Sequence, residues 1–280
     1  MGKKKILIVT GATGFIGTEI LRNKLFLKDY EILGLSSKNF FLLSSKLETI
    51  SKQKFLSIAQ KSQHVDVLHL ATFYDLNEEN KELIYKSNFT FGKEFFEELK
   101  NNDVRLMNIL YTNTVFSFSF DEHFSKSTYV RSKNKFSEFL DEFSHESNIN
   151  FIEVFLSNTI GKNDFRKKLI PNMVSSIKTN NNFYIQNPNS YINILDIDII
   201  SNEIYSLYQL NNKNKYSFLS KKEYLISSIN SYLTSYLIEN KKNKIEYKES
   251  ELGNSFPSEI NLKYFEFEFE KLLLEMCDDI

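Results

Sequence analysis

The chain has a single cysteine, Cys277, among 280 residues. That excludes internal disulfides and thiolate metal clusters, and fits a reducing compartment. It has no uninterrupted apolar run approaching the roughly 18 residues that a membrane-spanning helix requires. Neither charge sign dominates, with 35 basic against 36 acidic residues. No global field therefore draws in nucleic acid or an anionic membrane, and any anion must be met by a local site. The 4 histidines, His64, His69, His123 and His145, lack metal-ligand spacing, so no metal is expected. Internal repeats and long low-complexity tracts are also missing. The start, MGKKKILIVTGATGFIG, has the charge and apolar run of a signal peptide, but a Gly-rich turn interrupts the run after four residues. It reads as a first strand of a cytoplasmic protein.

What is present is rhythm. Short apolar runs, ILIV (6–9), EILGL (31–35), VDVLHLA (65–71), VRLMNIL (104–110) and NFIEVFL (150–156), alternate with helical patterns. Such alternation implies an α/β fold, a Rossmann-type doubly wound parallel sheet with helices on both faces. After about residue 161 the pattern changes to Asn-rich pieces, KTNNN (178–182) and NNKNK (211–215), with short strands such as FYIQN and YINILDI between them. The expected division is a dinucleotide-binding domain of residues 1–160 with 191–215, and a smaller C-terminal substrate-binding lobe of 161–190 with 216–280. The EFEFE stretch (266–270) has strand period inside YFEFEFEKLLLEM, which reads equally as a last helix.

TGATGFIG, Thr10 to Gly17, follows the first strand and opens a helix with Ile16, Ile20 and Leu21 on one face. Gly11, Gly14 and Gly17 permit a tight turn, close approach of backbone to a pyrophosphate, and close packing of helix on strand. A dinucleotide is therefore expected there. NAD sites place a carboxylate at the end of the second strand, against the ribose 2′-hydroxyl. Here that strand ends GLSSK. Ser36, Ser37 and Lys38 offer hydroxyls and a cation suited to a 2′-phosphate, so NADP is favoured over NAD; the other reading is a solvated Lys38 and an acid simply absent.

YVRSK puts Tyr129 and Lys133 four residues apart, on one face of a helix that Phe136, Leu140 and Phe143 continue. With 15 Tyr in the chain and Lys still more frequent, the pair alone carries little. Its position carries more, because the helix follows the strand ending in YTNTVF.

Together, TGATGFIG, HLAT (69–72), NFTFG (88–92), TNTVF and YVRSK resemble, in order and spacing, the extended short-chain dehydrogenase/reductases, the NAD-dependent epimerase/dehydratase family that acts on nucleotide sugars. The likeness covers roughly residues 5–210. HLATFY, SNFTFGKEFFE and SNTIGKNDFRKKL are most similar to the CDP-abequose and CDP-paratose synthase branch. The resemblance implies Tyr129 as general acid/base, Lys133 as its partner lowering the phenol pKa and binding the nicotinamide ribose, and Thr112 as the hydroxyl holding the reacting sugar oxygen. It also implies cofactor contacts from Thr13, Phe15, Ile16, Leu70, Ala71, Thr72 and Asn88, besides the glycines and the GLSSK residues. A homodimer is implied as well.

Sugar dehydratases of this family carry Asp-Glu after the strand-end Thr. Asn113 and Thr114 stand there instead, and neither titrates near neutrality. Dehydration is disfavoured, which leaves reduction of a 4-keto group or reversible C4 epimerisation; NADP would favour reduction. On the substrate side, Thr112, Asn113, Thr114 and Asn158 are candidates. Phe155 and Asn189 stand where the resemblance implies arginines on a diphosphate. Arg166, Lys167 and Lys168 would supply the charge, or form a solvated helix start. His69 reads as a satisfied strand residue, and Asp196 as a helix cap. The reading is an NADPH-dependent nucleotide-sugar 4-ketoreductase of surface-polysaccharide synthesis. The alternatives are an NAD-dependent C4 epimerase and a non-catalytic dinucleotide-binding regulatory protein.

Overall fold

The apolar runs become the central strands of a computed structural model, which describes residues 4–37, 39–43, 46–75, 78–210, 213–239, 241 and 243–278. In chain order, β1 (Lys5–Thr10) leads through the Gly-rich turn to α1 (Phe15–Arg22), α2 (Lys24–Asp29) and β2 (Tyr30–Ser36). β3 (Asn39–Leu43), β4 (Leu47–Ile50), α3 (Lys52–Gln60) and β5 (Val65–His69) follow. Next come α4 (Lys81–Tyr85), a π-helical turn (Lys86–Thr90), α5 (Phe91–Asn101) and β6 (Leu106–Thr114). A 3₁₀ turn (Val115–Phe118) and α6 (Glu122–Ser125) lead to α7 (Thr128–Glu146), β7 (Asn150–Leu156) and β8 (Asn158–Ile160). The chain continues through α8 (Leu169–Lys178), β9 (Tyr191–Asp196), α9 (Ile197–Leu210), β10 (Asn214–Ser220) and β11 (Lys222–Leu225). It closes with α10 (Ile226–Glu239), β12 (Tyr247–Glu249), β13 (Ile260–Phe265) and α11 (Phe269–Asp278).

Two compact units result. The first comprises Met1–Leu156, Ser201–Ser217 and Pro257–Asn261, and the second Ser157–Ile200, Phe218–Phe256 and Leu262–Ile280. The described strands form a sheet ordered β13-β10-β7-β6-β5-β1-β2-β3-β4 and another ordered β12-β11-β9-β8.

In the first unit β1 lies between β2 and β5, and β5, β6 and β7 continue the parallel array. These strands are apolar on both faces because helices cover both, as the alternation of elements implies. The edge departs from an all-parallel sheet. β3 pairs antiparallel with β2, and β4 antiparallel with β3. Ser36 is already paired with Asn39, and two intervening residues can make a hairpin but not the crossover of about a dozen that a parallel neighbour requires. Ser37 sits in that turn with φ +52°.

The core between sheet and helices gathers Ile8, Leu33, Val67, Ile109 and Tyr111 with Phe55, Phe96, Phe136 and Leu140. α7 begins at Ser127, whose side chain accepts from Val130 N, and buries Tyr129, Lys133, Phe136, Leu140 and Phe143 along one stripe. The same stripe that seats the helix thus carries the Tyr/Lys pair. Removing Phe136 would cost about 3–5 kcal/mol, by lost transfer and the cavity left.

The second unit packs α8, α10 and α11 through Met173, Ile229, Leu233, Leu273 and Met276. YINILDI supplies β9, and Asp196 caps the following helix by accepting from Asp198 N at 3.0 Å. FYIQN, read as a strand, is not one: residues 183–187 contain no strand or helix. Phe183 and Ile185 still pack against this core while Tyr184 is 85% exposed; its alternation serves anchoring rather than pairing. EFEFE divides between the two readings. Residues 266–268 continue beyond β13 without regular structure, and the helix starts at Phe269. Among the described residues no helix is long and apolar enough to cross a membrane.

Candidate active site

The Gly-rich turn is built for close backbone approach. Gly11 takes φ +69°, and a Cβ there would stand 2.9 Å from Ala71 N. A Cβ on Gly17 would collide with Gly11 O and reach 2.9 Å from Ala12. Gly14 is the N-cap of α1 and brings no side-chain cap, and a helix N-terminus of this kind suits an anion. The expected pyrophosphate fits this cradle. Phe15 is buried, Ile16 half-buried, and Thr13 lies exposed at the rim. Thr13 Oγ1 and Ser36 Oγ are 2.5 Å apart, joining the turn to the end of β2. The candidate contact Lys38 lies outside the described residues; Ser37 stands in the turn that follows β2.

Thr10 and His69 end adjacent strands in register. Thr10 Oγ1 accepts from Leu70 N and Ala71 N, each at 3.2 Å, and lies 3.0 Å from His69 Nδ1. With its lone pairs used, the hydroxyl proton is directed to Nδ1, which assigns the Nε2–H tautomer. Among the described residues His69 Nε2 has no hydrogen-bond partner and is buried, among the rings of Phe136, Tyr111, Phe96 and Phe91. The expectation of a satisfied histidine holds for one nitrogen only. Burial, with the nearby Lys133 charge, holds its pKa down at about 3, so it stays neutral.

Three candidate catalytic side chains come from β6 and α7. Thr112, Tyr129 and Lys133 are all buried. Lys133 Nζ donates to Thr112 O at 2.8 Å, and lies 4.8 Å from the Tyr111 ring centroid and 5.9 Å from that of Tyr129. Among the described residues Thr112 Oγ1 has only a long contact, 3.5 Å, to His69 O, so its hydroxyl is weakly committed. Burial pushes the Lys133 pKa down to about 7, with the Glu153 carboxylate pulling the other way. The Tyr129 phenol differs from the expectation of a lowered pKa: burial, then neighbouring Tyr74, push it up, and the hydrogen bond with Thr72 only partly opposes them. Desolvation is the largest cause in the chain by itself.

The loop after β5 surrounds Tyr129. The Tyr74 ring meets it edge-on at 5.1 Å between centroids. Asn88, held by the π-helical turn, brackets Phe73: Oδ1 accepts from Phe73 N at 2.6 Å and Nδ2 donates to Phe73 O at 3.1 Å. Oδ1 also accepts from Thr72 Oγ1 at 3.0 Å, and Nδ2 reaches Ser132 Oγ at 3.3 Å. Asn88 and Thr72, expected as cofactor contacts, thus fix the loop to α7. Such π-turns often mark functional sites.

Asn113 and Thr114 are engaged internally. Asn113 Nδ2 donates to Glu153 Oε1 at 2.7 Å and to Asn134 Oδ1 at 3.2 Å, and Asn113 Oδ1 accepts from Thr114 N. Thr114 Oγ1 accepts from Phe116 N. Glu153, buried on β7 and 3.3 Å from Lys215 Nζ, escaped sequence reading because a lone Glu in NFIEVFL has no pattern to distinguish it. Phe155 packs on Phe118 at 4.8 Å between centroids.

Asn158, Arg166 and Lys168 belong to the second unit. Asn158 Nδ2 donates to Asn193 O at 3.1 Å. Arg166 grips the buried Asp164 through Nε at 2.7 Å and Nη2 at 2.6 Å, and reaches Thr159 Oγ1 through Nη1 at 3.0 Å. It therefore braces its own loop. Lys168 stands at the N-cap position of α8 without a side-chain cap bond, half-buried, its pKa lowered to about 8 by burial and by Arg166. Among the described residues no group of three His, Cys, Asp or Glu side chains could hold a metal.

Residues 7–192 match the model of the NAD dependent epimerase/dehydratase family. No curated protein matches the chain. Solved structures similar in fold include the UDP-glucuronic acid 4-epimerase of Bacillus cereus in complex with NAD (13% identity, 98% of this chain and 95% of that one, TM-score 0.71). The UDP-N-acetylglucosamine 4-epimerase of Bacillus cereus is comparable (13%, 98% and 96%, TM-score 0.69). So is the UDP-glucose 4-epimerase of Thermus thermophilus in complex with NAD (14%, 98% and 98%, TM-score 0.69).

Proposed function

Because the chain belongs to the NAD dependent epimerase/dehydratase family, we propose that it is an NADPH-dependent reductase of the 4-keto group of a nucleoside-diphosphate deoxy sugar. The substrate class is that of the CDP-abequose and CDP-paratose synthases, serving surface polysaccharide. The observation that carries the reading is the gathering of Thr112, Tyr129 and Lys133 beside two positions, 113 and 114, whose side chains cannot titrate and are already hydrogen-bonded. An elimination needs an acid and a base there; a carbonyl reduction needs one proton donor.

Gly11, Gly14 and Gly17 would hold the pyrophosphate, and Ser36 with Ser37 would face the 2′-phosphate in the absence of a carboxylate at the end of β2. The bound nicotinamide supplies the hydride. Thr112 turns its weakly committed hydroxyl to the carbonyl oxygen. Tyr129 gives its phenolic proton to that oxygen as it becomes a hydroxyl, and the Lys133 ammonium stabilises the phenolate left behind.

The second reading is a C4 epimerase. It is favoured by the fold neighbours described as 4-epimerases, two of them with NAD. The two separate in one experiment, in which CDP-, dTDP- and GDP-4-keto sugars are incubated with NADPH or NADH. Net oxidation of NADPH supports the reductase. Tightly bound NAD, with interconversion of 4-hydroxy sugars and no net cofactor use, supports the epimerase. Neither activity, with cofactor still bound, would point to a regulatory binding protein.

A further inference from the structure

We propose that Glu78 is a positioning residue for Tyr129, its carboxylate tying the loop between β5 and α4 to the first turn of α7. The inference rests on the reading of Tyr129 as proton donor.

The first amides of a helix have no partner within it. In α7 the Val130 amide is met by Ser127 Oγ, and the Thr128 amide is met from outside by Glu78 Oε1. Glu78 lies 50 residues earlier in the chain, so this bond fixes the start of α7 relative to a separate loop. A carboxylate suits the place twice, as acceptor of an N–H and as an anion at the positive end of the helix. The opposite oxygen, Oε2, pairs with Lys81 Nζ at 2.8 Å. Lys81 and Thr128 together hold the Glu78 carboxyl down at about 2, so it stays ionised across the working range.

The backbone of Glu78 is bent to reach this position, at φ +56°. A residue with a side chain adopts that left-handed conformation only where its surroundings over-determine it, and such strain concentrates near functional sites. What the bend achieves is closure of a bracket. At one end of the loop Asn88 holds Thr72 and Phe73; at the other Glu78 holds Thr128. Between them stand Thr72, hydrogen-bonded to the Tyr129 phenol, and Tyr74, edge-on to its ring. Tyr129 directly follows Thr128, so freeing that amide frees the residue whose oxygen must meet the substrate.

The full-length Glu78→Ala and Glu78→Gln variants test this by hydrogen exchange over residues 128–133, NADPH binding by fluorescence, and turnover of a 4-keto nucleotide sugar. In the alanine variant, first-turn exchange should rise and kcat fall by about tenfold or more, with KM and NADPH affinity within about twofold. Glutamine retains an acceptor oxygen and should restore most of both. Should the alanine variant not fold, Glu78→Asp, with the charge but a shorter reach, should show the same loss. Unchanged exchange at the start of α7, or a loss in KM rather than kcat, would overturn the proposal. If the wild type turns over no sugar of the panel, the reductase reading falls separately and the exchange comparison alone decides Glu78.

Discussion

Lys133 Nζ donates to the backbone carbonyl of Thr112 at 2.8 Å, so the cation on α7 and the strand end on β6 are joined as one piece. A buried ammonium needs such a partner, because leaving it without one would cost several kcal/mol. The bond also holds the charge 5.9 Å from the centroid of the Tyr129 ring.

Lys133 has a consequence for stability. Its folded pKa, about 7, lies below the unfolded value of about 10.4. Below pH 7 both states carry the proton and the folded state bears the whole cost of burying it; between 7 and 10.4 the unfolded state binds more protons, so stability rises with pH. Lys133→Met should therefore raise stability at pH 6 by on the order of 1 kcal/mol or more, after the lost bond to Thr112. That gain should vanish towards pH 10, as read by chemical denaturation. A pH-independent difference would contradict the depressed pKa.

His69 acts in the same direction over a more acid window. It is neutral when folded down to about pH 3 and protonates near 6.5 when unfolded. The unfolded state gains a proton between those values, so stability falls as pH drops through them. His69→Gln should flatten the acid limb by about one proton's worth of slope, and equal slopes in both proteins would count against it.

Tyr129→Phe removes the phenolic oxygen and little volume. Turnover should fall by about 10²–10⁴, while NADPH binding and melting temperature change little. An undiminished rate would dismiss Tyr129 as proton donor.

Gly17→Ala places a methyl against Gly11 O and the Ala12 backbone. Backbone cannot swing aside as a side chain does, so α1 must move off β1. Dinucleotide affinity should drop by about tenfold or more, with a lower melting temperature. Wild-type affinity would mean that the turn does not hold the pyrophosphate.

Much of this was readable in advance wherever chemistry is local. The glycines at 11, 14 and 17 declare a turn because a Cβ at 11 or 17 would strike backbone, and Tyr129 and Lys133 declare a shared helix face by their separation. Glu78 was not readable: it stands in DLNEENKEL among other polar residues, and its partner amide is distant in the chain. Nor was the use of Arg166, which a cluster of three cations made a phosphate candidate until Asp164 and Thr159 took its guanidinium.

Periodicity and the backbone limits of single residues were enough to specify the parallel strands and the Gly-rich turn, whereas the proposed Thr/Tyr/Lys set came from the family resemblance. Which polar groups are already partnered was settled by folding alone. Folding turned the edge strands antiparallel, enclosed His69 among aromatic rings, and bound Asn113 to Glu153. Burial and hydrogen-bond partners are properties of neighbours in space. They set the pKa of Lys133 and Tyr129, and no spacing along the chain records them.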